Sequence, residues 1–188
     1  MSVYSGRVLG GVVACLLLSA CALNNGGPDN AVGSSWPIGW IDADGDCQNS
    51  ETEVLIRDVD GLLRWGDPEA CTIASGSWRS WASNRHVTFN ALLVVPLVTP
   101  RNAEASGASG WSQEKKRAFT NDLDNLILLD ITSAATRADA GPQSWRPHER
   151  YQCVYATRWQ LVKERYGLSM SKEEASAISE LMERCGDQ

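Results

Sequence analysis

Four acidic side chains stand at Asp42, Asp44, Asp46 and Glu53 in DADGDCQNSETE. They occupy the first, third, fifth and twelfth positions of a loop that can wrap calcium in hard oxygen ligands. The turning glycine of such a loop belongs at the sixth position, which is Cys47; Gly45 comes too early. Ser50 and Glu53 also read as a capping box before Val54-Leu55-Ile56, which gives Glu53 a competing role. An acidic turn entering a helix is the plainer reading, with Asp42, Asp44 and Asp46 as weak calcium candidates. The chain has two histidines, His86 and His148, the side chains best suited to moving a proton near neutral pH. Solvated loop positions are expected for both. Lys115-Lys116-Arg117 is the compact basic run. On a helix its members splay around the circumference, so a solvated face competes with a phosphate-contacting patch. Of eight tryptophans, Trp78 and Trp81 are candidates for stacking on bases or sugars, with a core role as the alternative.

The six cysteines divide by position. Arg7 is the first charged residue, Val8 to Leu18 is apolar apart from Gly10 and Gly11, and Leu18-Ser19-Ala20-Cys21 follows. A positive start, a short apolar run and small residues before a cut site describe a signal peptide over residues 1–20. The run is shorter than the roughly 20 apolar residues of a spanning helix. L-S-A-C resembles the lipobox of bacterial lipoproteins. That resemblance implies a diacylglycerol on Cys21, membrane attachment through it, and a location on the extracytoplasmic face of a bacterial membrane. Cys15 falls in the segment to be removed. Cys47, Cys71, Cys153 and Cys185 remain, an even number that reads as two disulfides in an oxidising compartment. Cys47–Cys71 with Cys153–Cys185 is favoured among the three connectivities, since each pair is near in sequence. No C-x-x-C pair points to zinc.

The chain carries 17 basic and 23 acidic residues, a formal net charge of −6. That balance disfavours tight non-specific binding to nucleic acid unless a local patch supplies it. Residues 21–35 are rich in Gly, Asn and Ser and read as a flexible tether. Residues 36–188 are long enough for one domain with a real core, expected to be a monomer. Helix is expected from Ser50 to Asp58. Extended structure is expected from Gly76 to Leu97, ending in the apolar run Ala91 to Val98. Ser106 to Gly110 reads as a loop, Ser112 as the cap of a helix reaching about Asn121, and Leu126 to Leu129 as a short strand. Pro142 and Pro147 mark a loop. Tyr151, Val154, Tyr155, Trp159, Val162 and Tyr166 keep one face of a long helix apolar, and Gly167 stops it. A second capping box, Ser171 with Glu174, opens a final helix whose stripe is Ile178, Leu181, Met182 and Cys185. Strands in the middle with helices at the ends predict an α+β domain.

From Asp42 to Cys185 the sequence resembles the small exported HNH-type endonucleases, whose domain is similar to the C-terminal part of GmrSD-type modification-dependent restriction endonucleases. The resemblance rests on DADGDCQNSETEVLIRD from Asp42, VVPL from Val94, SGASGWSQEKKRAFTNDLDNLILLD from Ser106, YQCVYATRWQLVKERYGL from Tyr151, and Cys185. It implies an HNH-like ββα core in a small disulfide-stapled domain, with flanking helices and two helices at the C-terminus. In such a site one divalent metal stabilises charge on the scissile phosphate and a histidine activates water.

The sequence departs from the family pattern where that chemistry resides. The family has Asp-His before V-V-P-L; here Leu92-Leu93 stands there. The family has an Asn in S-N-R-S-K-G-D-K; here Ala134 takes its place, Ala140 takes that of the second Lys, and Asp139 is retained. Glu51 replaces the arginine after the first cysteine, and the chain is longer between Leu97 and Ser106. Leucine neither binds metal nor accepts a proton, so the resemblance implies a scaffold that has lost its catalytic groups. His86 lies seven positions before Leu93, an offset that puts the two on opposite faces of one continuous strand. The leading expectation is a membrane-anchored, HNH-like protein that binds nucleic acid or a cell-envelope partner without cleaving, and needs no cofactor. The alternatives are an active endonuclease with rearranged ligands and a divalent metal, and a structural or surface-exclusion lipoprotein.

Overall fold

The computed structural model describes residues 35–186. The chain divides into units 1–33 and 34–188, and the described residues belong to the second. The expected signal peptide, Cys21 and nearly all of the tether lie outside the described residues.

The first helix, α1 (Ser50–Arg57), is capped by Asn49, whose Oδ1 accepts the Thr52 N–H at 3.0 Å. The expected Ser50–Glu53 box does not form. Ser50 turns inward, 2% exposed, and its one hydroxyl proton is shared between the Ile41 carbonyl at 3.0 Å and Asn121 Oδ1 at 2.9 Å. Tertiary partners outcompeted the local cap, and the residue before it took the capping role.

Two short strands, β1 (Arg64–Trp65) and β2 (Ile73–Ser75), pair antiparallel. The expected extended run from Gly76 to Leu97 is broken into a hairpin of β3 (Ser77–Arg79) and β4 (His86–Thr88), a 3-10 turn at Phe89–Ala91, and β5 (Leu92–Pro96). Ser80 and Asn84 make the hairpin turn: the Ser80 N–H donates to the Arg85 carbonyl and the Asn84 N–H to the Ser80 carbonyl, with Asn84 at φ 56°. Asn tolerates that left-handed conformation better than most residues.

A helix not expected from the sequence follows, α2 (Pro100–Ala105). Thr99 Oγ1 accepts the Asn102 N–H and Pro100 sits in the first turn, a start signal written in the sequence. The next helix, α3 (Gln113–Thr120), is capped by Ser112 and ends at Asn121, as expected. The strand β6 (Leu126–Asp130) pairs antiparallel with β5, Leu92 opposite Asp130 and Leu93 opposite Leu129. Asp130 then caps α4 (Ile131–Arg137), accepting the Ser133 N–H at 2.9 Å. The buried Arg137 guanidinium donates to the carbonyls of Pro96 and Leu97, so α4 folds back along β5. The C-terminal pair, α5 (Glu149–Tyr166) and α6 (Lys172–Gly186), matches expectation. Gly167 closes α5 at φ 67°, and Ser171 and Glu174 cap α6 reciprocally, at 3.1 and 2.8 Å.

The domain is α+β, six helices with three small antiparallel pairs, among the described residues. Its core is the wholly buried run Leu126 to Leu129 packed with Trp78, Trp159, Tyr155 and Phe119. Each such side chain stabilises the fold by roughly 1.5–3 kcal/mol. Cys47 bonds Cys71 and Cys153 bonds Cys185, stapling the acidic turn and the α5–α6 pair. No helix among the described residues is long and apolar enough to cross a membrane.

Candidate functional site

The strands β5 and β6 with α4 form a strand–strand–helix unit, and five of the six positions singled out by the resemblance lie on it or just beyond it, the sixth, Glu51, being on α1. Leu92 is buried opposite Asp130. Leu93 points outward, 42% exposed, beside a neighbouring strand whose Leu129 is wholly covered. Ile131, at the start of α4, is 47% exposed. An outward leucine contributes little burial energy, so core packing does not explain its type at this position. Ala134 is half-buried against the core, Ala140 is half-buried, and Asp139 is exposed, 4.0 Å from Arg101. Of the five, Asp139 is the one that carries a ligand atom.

At the N-terminal end of α4 lies a cleft of about 380 Å³ lined by Arg85, His86, Asp130, Thr132 and Ser133. The expectation that His86 shares one continuous strand with Leu93 is corrected here. The 3-10 turn at Phe89–Ala91 separates them and brings His86 to the same end of the unit as Asp130. Both ring nitrogens are engaged. Arg79 Nη2 lies 2.6 Å from Nε2, and Ser77 Oγ lies 3.0 Å from Nδ1. A guanidinium can only donate, so Nε2 accepts and Nδ1 carries the hydrogen given to Ser77. Burial pushes the Asp130 carboxyl up, but hydrogen bonds from Ser80 and Ser133 outweigh it and hold the group below the ordinary carboxylate value. His148 is not a free loop residue. Its Nδ1 accepts the Arg150 N–H at 3.3 Å and caps α5.

The acidic turn gathers Asp42, Asp44 and Asp46, whose carboxylate oxygens come within 4.8 Å of one another at the surface. Those oxygens already accept backbone N–H groups: Asp42 from Gly45 and Cys47, and Asp46 from Gln48. Cys47 takes φ 74° where a calcium loop would place glycine. Glu53, released from the capping role, has its carboxyl raised first by burial and then by Asp44, Asp46 and Asp42. The turn is thus folded by its own hydrogen bonds and its disulfide.

The basic run does not form a patch. Lys116 is buried, paired with Glu104 at 3.1 Å and set over the Trp36 ring. Lys115 donates to the Tyr166 carbonyl and lies 4.3 Å from the Trp111 ring centre. Arg117 alone of the three points freely outward. The stacking reading of Trp78 and Trp81 also fails, because both are buried; the Trp78 indole donates to the Leu55 carbonyl.

Positive charge concentrates instead where no sequence run announced it. A second cleft of about 380 Å³ opens between α1, the β3–β4 hairpin and α5, and carries Arg57, Arg79, Arg150 and Arg158 against Asp58 and Asp60. Arg57 is held bidentate by Asp58, and Arg79 donates to Asp60 and His86. Arg158 rests over the Trp81 ring at 5.5 Å, and Trp81 stacks on Tyr151 at 5.0 Å.

These features define an exported, disulfide-stapled α+β domain, since disulfides persist in oxidising compartments. The chain is 34% identical over 178 residues to the "Uncharacterized secreted protein" of Arthroderma benhamiae, a match covering 90% of this chain and 83% of the relative. It belongs to the family of that secreted protein, and its location is extracytoplasmic. No protein-family model and no solved structure matches the chain.

Proposed function

We propose that the protein is an exported, HNH-like domain that acts by binding, to nucleic acid or a cell-envelope partner, and does not cleave. The observation that carries this reading is a strand–strand–helix unit with Leu93 and Ala134 on it, the positions to which the resemblance assigns the family's histidine and asparagine. A backbone feature supports the alignment. Ala138 closes α4 at φ 47°, and it stands where the family string S-N-R-S-K-G-D-K has its glycine. A non-glycine residue there costs about 1–3 kcal/mol, so the geometry suits the glycine better than its replacement. Loss of base catalysis alone removes about 10²–10⁴-fold, and loss of the metal's ligands adds to it.

One observation favours the rearranged-site alternative: His86, Asp130 and Ser133 line one cleft at the start of α4. The experiment that separates the two readings is a digest of plasmid and single-stranded DNA by the purified mature protein with Mg²⁺, Mn²⁺ or Zn²⁺. No cleavage above background is expected. Metal-dependent cleavage that disappears in His86→Ala would falsify the binding reading and establish the alternative.

We also infer a lipid on Cys21. The support is the L-S-A-C string alone, since the relative is fungal and is named as secreted. In a bacterial host fed labelled fatty acid, label is expected in the wild-type protein and not in Cys21→Ser. A wild-type protein without label would leave a plain secretory signal as the explanation.

A further inference from the structure

Arg150 and Arg158 are the charges of the arginine cleft that make no ion pair among the described residues. Arg57 and Arg79 are spent on Asp58, Asp60 and His86. Arg150 is exposed, and its guanidinium makes no hydrogen bond or ion pair among the described residues. Arg158 is half-buried, and its Nη1 is covered from solvent with no partner among the described residues. A covered, unsatisfied donor on a charged group is costly, and a cation without a counter-ion more so. Burial first and the neighbouring Arg57 second disfavour the charged form of Arg158, and the more distant Asp58, Asp124 and Asp122 offset this only in part. An oxyanion in the cleft supplies the missing counter-charge to both guanidiniums.

The geometry points to a ligand that carries two phosphoryl groups in succession, bound in this cleft by Arg158 at its wall and Arg150 at its mouth. The two arginines lie eight residues apart on one face of α5, about 12 Å along the axis, with Val154 midway. Two long side chains converging on one cleft from that helix can each take one phosphoryl group of a ligand that carries two, whereas a lone phosphate engages one of them. Val154, 37% exposed, and the Tyr151 ring give the ligand's apolar part a surface between them. Either a diphosphate or successive phosphodiesters of a short single strand present this chemistry. The cleft shares no residue with β5, β6 or α4, so it stands whether or not the strand–strand–helix unit cleaves.

The test is calorimetric titration of the purified mature protein at low salt with inorganic phosphate, pyrophosphate and a single-stranded thymidine trinucleotide. Saturable binding is expected for at least one two-phosphoryl probe, tighter than for inorganic phosphate. Binding of pyrophosphate alone assigns a small diphosphate, and binding of the trinucleotide alone assigns a strand; either supports the site. Arg150→Gln and Arg158→Gln are each expected to weaken it tenfold or more, whereas Arg117→Gln, outside the cleft, leaves it unchanged. Arg150 is exposed, so its variant keeps the test readable even if Arg158→Gln disturbs packing on Trp81. Absence of saturable binding by both two-phosphoryl probes, or wild-type affinity in Arg150→Gln and Arg158→Gln, overturns the assignment.

Discussion

Lys163→Met is expected to destabilise the domain by about 3–5 kcal/mol, the range for breaking a buried ion pair from one side. Lys163 is 1% exposed on α5, and its ammonium donates to Asn102 Oδ1 at 2.5 Å, Ser106 Oγ at 2.9 Å and the Ser169 carbonyl at 3.0 Å. Glu174 Oε1 lies 3.3 Å away. Three donors meet three acceptors, so the charge is fully satisfied although water is excluded. The group ties α5 to the end of α2 and to the start of α6. Burial pulls the Lys163 amine below its usual value, and Glu174 opposes that pull. Methionine fills similar space but leaves Glu174 covered without its cation. Adding Glu174→Gln is therefore expected to recover part of the loss, because glutamine still accepts the Ser171 N–H in the cap. Urea unfolding of the single and double variants measures both effects. A single-variant loss below about 1 kcal/mol would mean that the pair is not a structural lock.

Replacing both Cys153 and Cys185 by alanine is expected to cost about 3.5 kcal/mol, from a closed loop with a sequence separation of 32. This bridge holds α6 on α5, where Ile178 and Leu181 are buried while Met182 stays partly exposed. The same removal at Cys47–Cys71, with a separation of 24, is expected to cost a similar amount and to loosen the Asp42–Asp46 turn in particular. Thermal melts with and without reductant read both. Thiol labelling of the unreduced mature protein is expected to find no free Cys among these four. A melt unchanged by reductant would remove the bridges from the account of stability.

The contrast between what was legible and what was not follows the range of each interaction. Ser112, Gly167 and the Ser171–Glu174 box were readable because a cap acts within one turn, between residues three or four apart. The β6 run was readable because four consecutive leucine and isoleucine residues have few places to go but a core. The α2 start is equally local, with Thr99 and Pro100 as its signals, but the helix is only six residues long and has no apolar period to announce it. The Ser50 cap failed for the opposite reason: Ile41 and Asn121 reached it first, and Asn121 is far along the chain. The position of His86 is not legible in the sequence, because a hairpin and a 3-10 turn change the direction of the chain without changing its composition.

The amino-acid sequence by itself determined the even set of four cysteines, the helix boundaries set by caps, the α+β class, and the apolar residue types at Leu92, Leu93 and Ala134. Each of these depends on residue type or on neighbours close in sequence. The tertiary structure alone decided which charges are free. It buried Lys116 and Lys163, consumed Arg57 and Arg79, and left Arg150 and Arg158 facing one cleft without an ion-pair partner among the described residues. A charge count cannot show this, because neutralisation requires partners within a few ångströms and those partners come from segments far apart in the chain.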